Sequence, residues 1–135
     1  MEEQKKAKAA LLGLLARRDY PSEVLKQKLL AKGFSETVVE KMICWAKEKG
    51  FVNDEQYVQA LIKKEIRQGR SPRMIRYKLH AKKLPQEEAD QIDDETQKDQ
   101  IRKLLPKLSP DPRKAMQSLY RRGFDAALIS EIFRE

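Results

Sequence analysis

The chain has 135 residues, of which 37% are charged, 7% are aromatic and five are glycine. This composition is typical of a polar helical protein with one domain or several small units, and it argues against an all-β fold rich in tight turns. The net charge of +8 favours a polyanionic partner. The longest apolar run, Ala9–Ala16, is much shorter than the roughly 20 residues that a membrane span needs.

The single cysteine, Cys44, excludes an internal disulfide and fits a reducing compartment. It lies in the apolar sequence MICWA, so we expect it to pack inertly on a helix face rather than to act as a nucleophile. Together with the short apolar run, this favours a cytoplasmic protein.

The sequence contains three related copies of one segment, and such repetition predicts a tandem array of similar units. The copies align without gaps and cover residues 17–43, 67–93 and 107–133. Three leucines occupy one aligned position, and they are Leu29, Leu79 and Leu119. Within each copy, apolar residues recur at the spacing of one helix face, which predicts helices rather than strands.

Signals for helix starts and ends divide each copy. Glycines that suit a left-handed helix end stand at positions 33, 50, 69 and 123. Ser71-Pro72 and Asp111-Pro112 each combine a capping side chain with a proline in the first turn, and Asn53 resembles a cap as well. A further helix precedes each aligned copy, at about residues 4–18, 53–68 and 97–106.

These nine helices predict an all-α fold class, with three tandem three-helix repeats in an elongated array. We place the repeats at residues 1–51, 52–96 and 97–135. Helices of this length cannot bury a core alone, so they must pack within a unit and then unit against unit. We expect a monomer with a long surface rather than one deep pocket, which favours binding over small-molecule catalysis.

The middle copy carries an unusual charge. Lys63–Lys83, the basic block, holds nine lysines and arginines and one acid, so its net charge of +8 equals that of the whole chain. On the second helix of this copy, Arg73, Arg76, His80 and Lys83 follow at the spacing of one solvent-facing ridge. Cations in the last turn of the preceding helix complement its dipole, but that effect covers only part of the block.

We predict that the basic block contacts nucleic acid, because the planar guanidinium groups of its arginines suit phosphate. Tyr77 is interleaved with them, and we expect it to pack within the helical unit rather than to stack on a base. The alternative is an ordinary solvated surface. The predicted contacts are Lys63, Lys64, Arg67, Arg70, Arg73, Arg76, His80 and Lys83.

An acidic stretch follows directly. Residues 85–100 contain seven acids and one lysine. Glu88 and Asp93 replace apolar residues of the other two copies, so the third helix of this repeat loses its apolar stripe. We expect this face either to pair with the basic block or to meet a partner protein. The predicted partner contacts are Glu88, Asp93 and Asp94.

Catalytic chemistry has little support in the sequence. His80 is the only histidine, and there is no glycine-rich phosphate loop, serine-nucleophile motif or zinc pattern. Asp93, Asp94 and Glu95 are adjacent on a predicted helix, so they point in different directions and do not converge on an ion. We expect a protein that is not an enzyme and needs no metal or cofactor; a magnesium-dependent nuclease is the catalytic alternative.

Three stretches resemble the RecX family, whose members regulate the bacterial recombinase RecA. The first is ALLGLLARRDYPSEVLKQKLLAKGF. The second and most characteristic is GFVNDEQYVQALIKKEIRQGRSPRMIRYKL, in which Gly69, Pro72 and Ile75 form a G-x-x-P-x-x-I turn. The third is MQSLYRRGFDAALISEIF. The resemblance covers residues 9–134, and the joint order of the three stretches makes it specific.

Two departures from the family pattern lie around the middle helix. The family usually has a Lys-Gly pair after this helix, where the chain has Lys82 and Lys83, so we expect the helix to end differently. A glycine or serine is common at Arg70 and Ser71, so this turn is more basic than usual.

The resemblance implies an all-helical protein of three-helix repeats that binds along the groove of the RecA filament. It also implies inhibition of RecA ATPase and strand exchange, contact with single- or double-stranded DNA, and stoichiometric rather than enzymatic action. The expected setting is homologous recombination, DNA repair and the SOS response. The alternative is an independent helix-turn-helix-like DNA-binding protein, because a three-helix unit with a basic helix suits that class too.

Overall fold

The computed structural model describes residues 2–135, which form nine α-helices and one 3-10 turn and include no β-strand. The predicted all-α class is therefore confirmed. The helices are α1 (Glu2–Arg17), α2 (Ser22–Ala31), α3 (Glu36–Glu48), α4 (Asp54–Arg67), α5 (Pro72–Ala81), α6 (Glu87–Asp90), α7 (Asp94–Leu104), α8 (Pro112–Arg122) and α9 (Ala126–Arg134). The 3-10 turn, Leu105–Lys107, follows α7. Every helix in residues 2–135 is too short or too polar to span a bilayer.

The described residues group into two compact units. The N-terminal unit comprises residues 2–57 and Lys82–Leu84, and the C-terminal unit comprises Val58–Ala81 and Pro85–Glu135. The helices follow the predicted order of three per repeat, as α1–α3, α4–α6 and α7–α9. The exact repeat boundaries after residues 51 and 96 stay a prediction.

The core of the N-terminal unit is formed by α1, α2 and α3, which contact one another. Burial of a large aliphatic side chain stabilises a fold by about 1.5–3 kcal/mol, and this core draws such side chains from all three helices. Its buried members are Leu11, Leu25, Leu29, Val39, Ile43, Ala46 and Val52.

Cys44 is exposed, so the expected packing of its thiol is wrong. The core-facing positions of α3 are Val39, Ile43 and Ala46, which follow the spacing of one helix face. Cys44 comes directly after Ile43, and one residue turns an α-helix by about 100°. The thiol therefore points away from the core even though its neighbours in sequence are apolar.

The C-terminal unit has a core in which α9 packs against α7 and α8. Its buried apolar members are Ile101, Leu119, Phe124, Leu128, Ile129 and Ile132. Ion pairs join α7 to the end of the chain: Lys98 Nζ lies 2.7 Å from Glu131, and Arg102 lies 2.8 Å from Glu135. The hydrogen bond with Glu131 raises the pKa of Lys98, and the hydrogen bond from Arg102 lowers the pKa of Glu135.

The predicted helix ends are confirmed. The four predicted glycines have left-handed backbones, with φ between 76° and 96°. At the helix starts, Ser71 Oγ accepts from the Met74 amide at 3.2 Å, and Asp111 Oδ1 accepts from the Arg113 amide at 3.0 Å. Each cap satisfies an amide that has no partner within its helix.

The end of α5 differs from the expectation. Lys83 aligns with Gly33 of the first copy and Gly123 of the third. It adopts the same left-handed backbone as these glycines, with φ of 58°. The helix therefore ends in the usual geometry, although a side chain in this region costs about 1–2 kcal/mol relative to glycine. Among residues 2–135, Lys83 is the one non-glycine residue with positive φ.

The acidic stretch forms one short helix and the start of the next. Helix α6 is a single turn, Glu87–Asp90, and its one buried residue is Ala89. Asp93 then caps α7, because its side chain accepts from the Thr96 amide at 2.8 Å. Helix α7 consequently begins at Asp94, three residues before the predicted start, since a cap in this position was not anticipated.

Candidate nucleic-acid interface

Helix α5 has one solvent-exposed face and one buried face. Ile75 and Leu79 are fully buried and fix the rotation of the helix. Arg73, Arg76 and His80 are exposed, as the predicted ridge requires, but Lys83, its fourth predicted member, is not on the helix, because α5 ends at Ala81. The sequence therefore anticipated correctly that the first three side chains of the ridge lie on the solvent-facing side of α5.

The one acid of the basic block is buried and organises the contact between α4 and α5. Glu65 is only 2% exposed. Lys78 Nζ donates to Glu65 Oε1 at 2.8 Å, and Arg70 Nε lies 3.6 Å from Glu65 Oε2. A buried carboxylate is costly unless it is paired, so Lys78 and Arg70 compensate the charge of Glu65. Arg70 is thus shared between this ion pair and solvent.

The other predicted contacts lie in different local settings. Lys63, Lys64 and Arg67 are exposed on the last turns of α4. Arg76 Nε lies 3.5 Å from Asp90 Oδ1, so the basic block and the acidic stretch pair at this point. Lys83 belongs to the N-terminal unit, where its Nζ lies 4.0 Å from Glu23.

Tight contact between the start of α5 and the end of α8 positions Arg73. Ser71 Oγ donates to the Arg122 carbonyl at 2.6 Å. A Cβ on Gly123 would lie 3.0 Å from Ser71 Oγ and 3.0 Å from Arg73 Cδ. The Arg73 side chain therefore lies directly over Gly123, the glycine that ends α8. In the sequence, Gly123 follows Arg121 and Arg122.

An open cleft of about 510 Å³ lies on this surface of the C-terminal unit. Side chains from α5, from the segment before α6 and from the end of α8 line it, and they include Arg73, Arg76, Tyr77, His80, Gln86 and Arg121. The Gln86 amide donates to His80 Nδ1 at 3.0 Å, so the neutral imidazole carries its own proton on Nε2. Three arginines and no acid are among the described lining residues.

Sequence reasoning missed two features of this cleft. Arg121 belongs to the third copy, and its one sequence signal is its place in the pair Arg121-Arg122 before Gly123. Tyr77 is 69% exposed, so the expectation that it packs is wrong. It stands two residues from both Ile75 and Leu79, which places it on the opposite side of the helix.

The predicted partner contacts are spread over two helices. Glu88 is half-buried in α6, and Asp94 is exposed in the first turn of α7. Asp93 caps α7, and hydrogen bonds from Thr96 hold the pKa of the Asp93 carboxyl below its ordinary value. Within residues 2–135, no group of three or more histidine, cysteine, aspartate or glutamate side chains is arranged to hold a metal ion.

The sequence is similar to known protein families, and the fold is similar to solved structures. Two family models match: RecX, first three-helix domain, over residues 7–44, and RecX, second three-helix domain, over residues 53–92. A crystal structure of RecX from Lactobacillus salivarius shares the fold, with a TM-score of 0.88, 20% identity, and coverage of 98% of this chain and 96% of that chain.

Several relatives bear the name regulatory protein RecX. The one from Caldanaerobacter subterraneus is 30% identical over 137 residues, which cover 96% of this chain and 70% of that relative. The one from Legionella pneumophila is 31% identical, with coverage of 96% and 94%. The match to the Vibrio parahaemolyticus protein, at 31% identity, spans 63% of this chain and 55% of that relative. Since the two domain models match more than half of the sequence, this chain belongs to the RecX family of regulatory proteins.

Proposed function

We propose that this chain regulates the RecA recombinase by binding in the groove of the RecA–DNA filament. The observation that carries the proposal is family membership, which two domain models and relatives of similar length support. The exposed arginines of α5 add a surface suited to phosphate.

In this proposal the basic side of the C-terminal unit faces DNA. Arg67, Arg73 and Arg76 are exposed, and their guanidinium groups bind phosphate oxygens through paired N–H donors. Lys63, Lys64 and His80 extend the same set of donors. Arg70, Arg76 and Lys83 also have acidic partners within their own units. Phosphate contacts position a protein on DNA without reading its sequence.

The acidic stretch is proposed to meet recombinase subunits through Glu88 and Asp94. Asp93 contributes less directly, because its carboxylate caps α7. The bound chain acts stoichiometrically as a monomer in the cytoplasm, lowers RecA ATPase and strand exchange, and thereby acts in homologous recombination, DNA repair and the SOS response. It does so without catalysis of its own.

The test is the rate of ATP hydrolysis by RecA on single-stranded DNA, measured while this protein is added from substoichiometric to stoichiometric amounts. A falling rate that levels off near stoichiometry is the expected result. An unchanged rate at stoichiometric amounts would contradict the proposal. A matched control adds the same protein after heat denaturation. It measures how much of the change in ATPase rate comes from a basic polypeptide that lacks the fold.

An independent DNA-binding protein is the second candidate. The exposed N-terminal half of α5 favours it, because recognition helices contact base edges through residues of this kind in this position. A gel shift on naked duplex DNA separates the two functions. Tight, sequence-selective binding without RecA would support the second candidate, whereas weak binding without sequence preference agrees with the first.

A further inference from the structure

The cleft beside α5 combines groups that suit both parts of a nucleotide. Tyr77 is 69% exposed and Met74 is 39% exposed, and both side chains line the cleft together with Arg73 and Arg121. Because 69% of the Tyr77 side chain is exposed, its ring contributes little to packing and is open to a ligand. Such a ring is a platform on which a nucleobase stacks.

Two arginines that line the cleft could bind the phosphate of this nucleotide. Arg73 is held over the Gly123 turn, because its Cδ lies 3.0 Å from the position of a Cβ on that residue. Arg121 comes from the end of α8, so the arginines reach the cleft from two different helices. The planar guanidinium group of each arginine offers paired N–H donors that match the oxygens of a phosphate.

The base edge has polar partners on the remaining wall. The Gln86 amide donates to His80 Nδ1 at 3.0 Å, which fixes both side chains and leaves the proton of the neutral ring on Nε2. An imidazole N–H donor at the wall suits the carbonyl oxygens of a base that is not paired with a complementary strand. Bases in a duplex are stacked and paired, so they cannot enter a cleft of this kind.

We propose that this cleft binds one unpaired nucleotide of single-stranded DNA, with the base stacked on Tyr77 and its phosphate between Arg73 and Arg121. The inference rests on the proposed contact with DNA and names the form of DNA that this surface selects. It predicts a preference for strands with accessible bases, beyond the attraction that any phosphate backbone exerts.

The experiment compares three fluorescein-labelled DNAs of about 15 nucleotides by anisotropy at one ionic strength. They are oligothymidylate, an abasic strand with the same number of phosphates, and a duplex. Wild type should bind oligothymidylate roughly 5- to 150-fold more tightly than the abasic strand, which is the range that stacking of one base supplies. Tyr77→Ala should remove this preference and leave the affinity for the abasic strand and the duplex unchanged.

Two variants serve as matched controls. Tyr77→Phe keeps the ring and should keep the preference. Tyr120→Ala removes another tyrosine that is 44% exposed in the same unit, and it should also keep the preference. Circular dichroism checks that Tyr77→Ala remains folded, as the exposure of this side chain leads us to expect.

Each other result has a definite meaning. Equal wild-type affinity for oligothymidylate and the abasic strand would overturn the nucleotide cleft and leave the proposed DNA contact intact. A preference that persists in Tyr77→Ala, or an equal loss of duplex binding in that variant, would overturn the role of Tyr77. Absence of binding to all three DNAs would contradict both the cleft and the broader DNA contact.

Discussion

Gly33, Lys83 and Gly123 occupy one aligned position in the three copies, and their φ angles are 96°, 58° and 92°. The repeat therefore requires a left-handed residue there whatever its side chain. Glycine adopts this conformation freely, whereas the Cβ of any L-residue crowds the following carbonyl oxygen. Lys83 is thus a residue whose backbone is strained by the fold.

Replacing Lys83 with glycine should stabilise the protein. The free energy of unfolding should rise by roughly 0.5–1 kcal/mol, because relief of the left-handed strain exceeds the cost of the extra entropy that glycine gives the unfolded chain. Urea unfolding followed by circular dichroism measures the change. Lys83→Ala is the control, since it removes the same charge but retains a Cβ; an equal gain in both variants would show that charge rather than strain is responsible.

Gly123 differs from Gly33 in its surroundings, although their backbones agree. A Cβ on Gly123 would lie 3.0 Å from Ser71 Oγ, whereas a Cβ on Gly33 would meet nothing within 4 Å. Both glycine-to-alanine variants should lose about 1–2 kcal/mol from backbone strain. Gly123→Ala should lose roughly 1 kcal/mol more, because Ser71 and Arg73 must shift.

Thermal and urea unfolding of the two variants provide the comparison. Equal losses in Gly123→Ala and Gly33→Ala would contradict the close approach of α5 to the end of α8. A larger loss in Gly123→Ala, with weaker oligothymidylate binding, would connect this turn to the position of Arg73 in the cleft.

At the scale of single elements, α7 depends on a carboxylate at its start. Asp93 accepts from the Thr96 amide at 2.8 Å, and hydrogen bonds from the side chain and the amide of Thr96 lower the pKa of the carboxyl. Folding therefore favours the ionised carboxylate of Asp93. Its contribution to the stability of the folded protein is fully present above the unfolded-state pKa. That contribution is lost as the pH falls through the lowered folded-state pKa.

Asp93→Ala should lower the melting temperature by roughly 2–5 °C at pH 7. The difference from wild type should shrink as the pH falls below the ordinary aspartate pKa of 3.8, because protonation weakens the cap in wild type as well. Asp94→Ala removes the neighbouring exposed acid and should have a smaller effect. A difference that does not change with pH would contradict the capping role of the carboxylate.

Much of the helical framework could be predicted from local signals. Gly69 and Gly123 end helices, and Ser71 and Asp111 begin them, because these functions depend on a residue and its close neighbours in sequence. The length of α6 and the start of α7 were predicted less well. There, acidic residues replace the apolar positions that otherwise mark a helix face, and one of them acts as a cap.

The candidate site was predictable only where it depends on a single helix. The exposure of Arg73, Arg76 and His80 follows from the spacing of Ile75 and Leu79 on α5. The same spacing places Tyr77 on the exposed side of α5, so its expected packing was wrong. Arg121 reaches the cleft through packing of α8 near α5, and no local sequence pattern specifies such a contact.

At the scale of the whole molecule, charge is distributed unevenly. The basic block carries a net charge of +8, equal to that of the whole chain, and the charges of the remaining residues sum to zero. Arg121 lies outside the basic block in the sequence, but in the folded chain it lines the cleft together with Arg73 and Arg76 of the block. The arrangement suits a protein that presents one phosphate-binding face while its other surfaces meet a protein partner.

Replacement of Arg67, Arg73 and Arg76 together by alanine should weaken DNA binding and flatten its salt dependence. If each arginine neutralises one phosphate, the slope of log K against log salt should become less negative by roughly 2–3. Anisotropy titrations at several salt concentrations measure it. Replacement of Lys41, Lys47 and Lys49, which are exposed in the N-terminal unit, removes the same charge and should change the slope less; equal slopes for the two variants would contradict a localised DNA face.

The most direct test of binding in the filament groove is an electron cryomicroscopy reconstruction of RecA filaments on single-stranded DNA with this protein at stoichiometric amounts. We expect helical density for this chain in the groove, with α5 of the C-terminal unit toward the DNA. Density on the outer surface of the filament, or α5 turned away from the DNA, would contradict it.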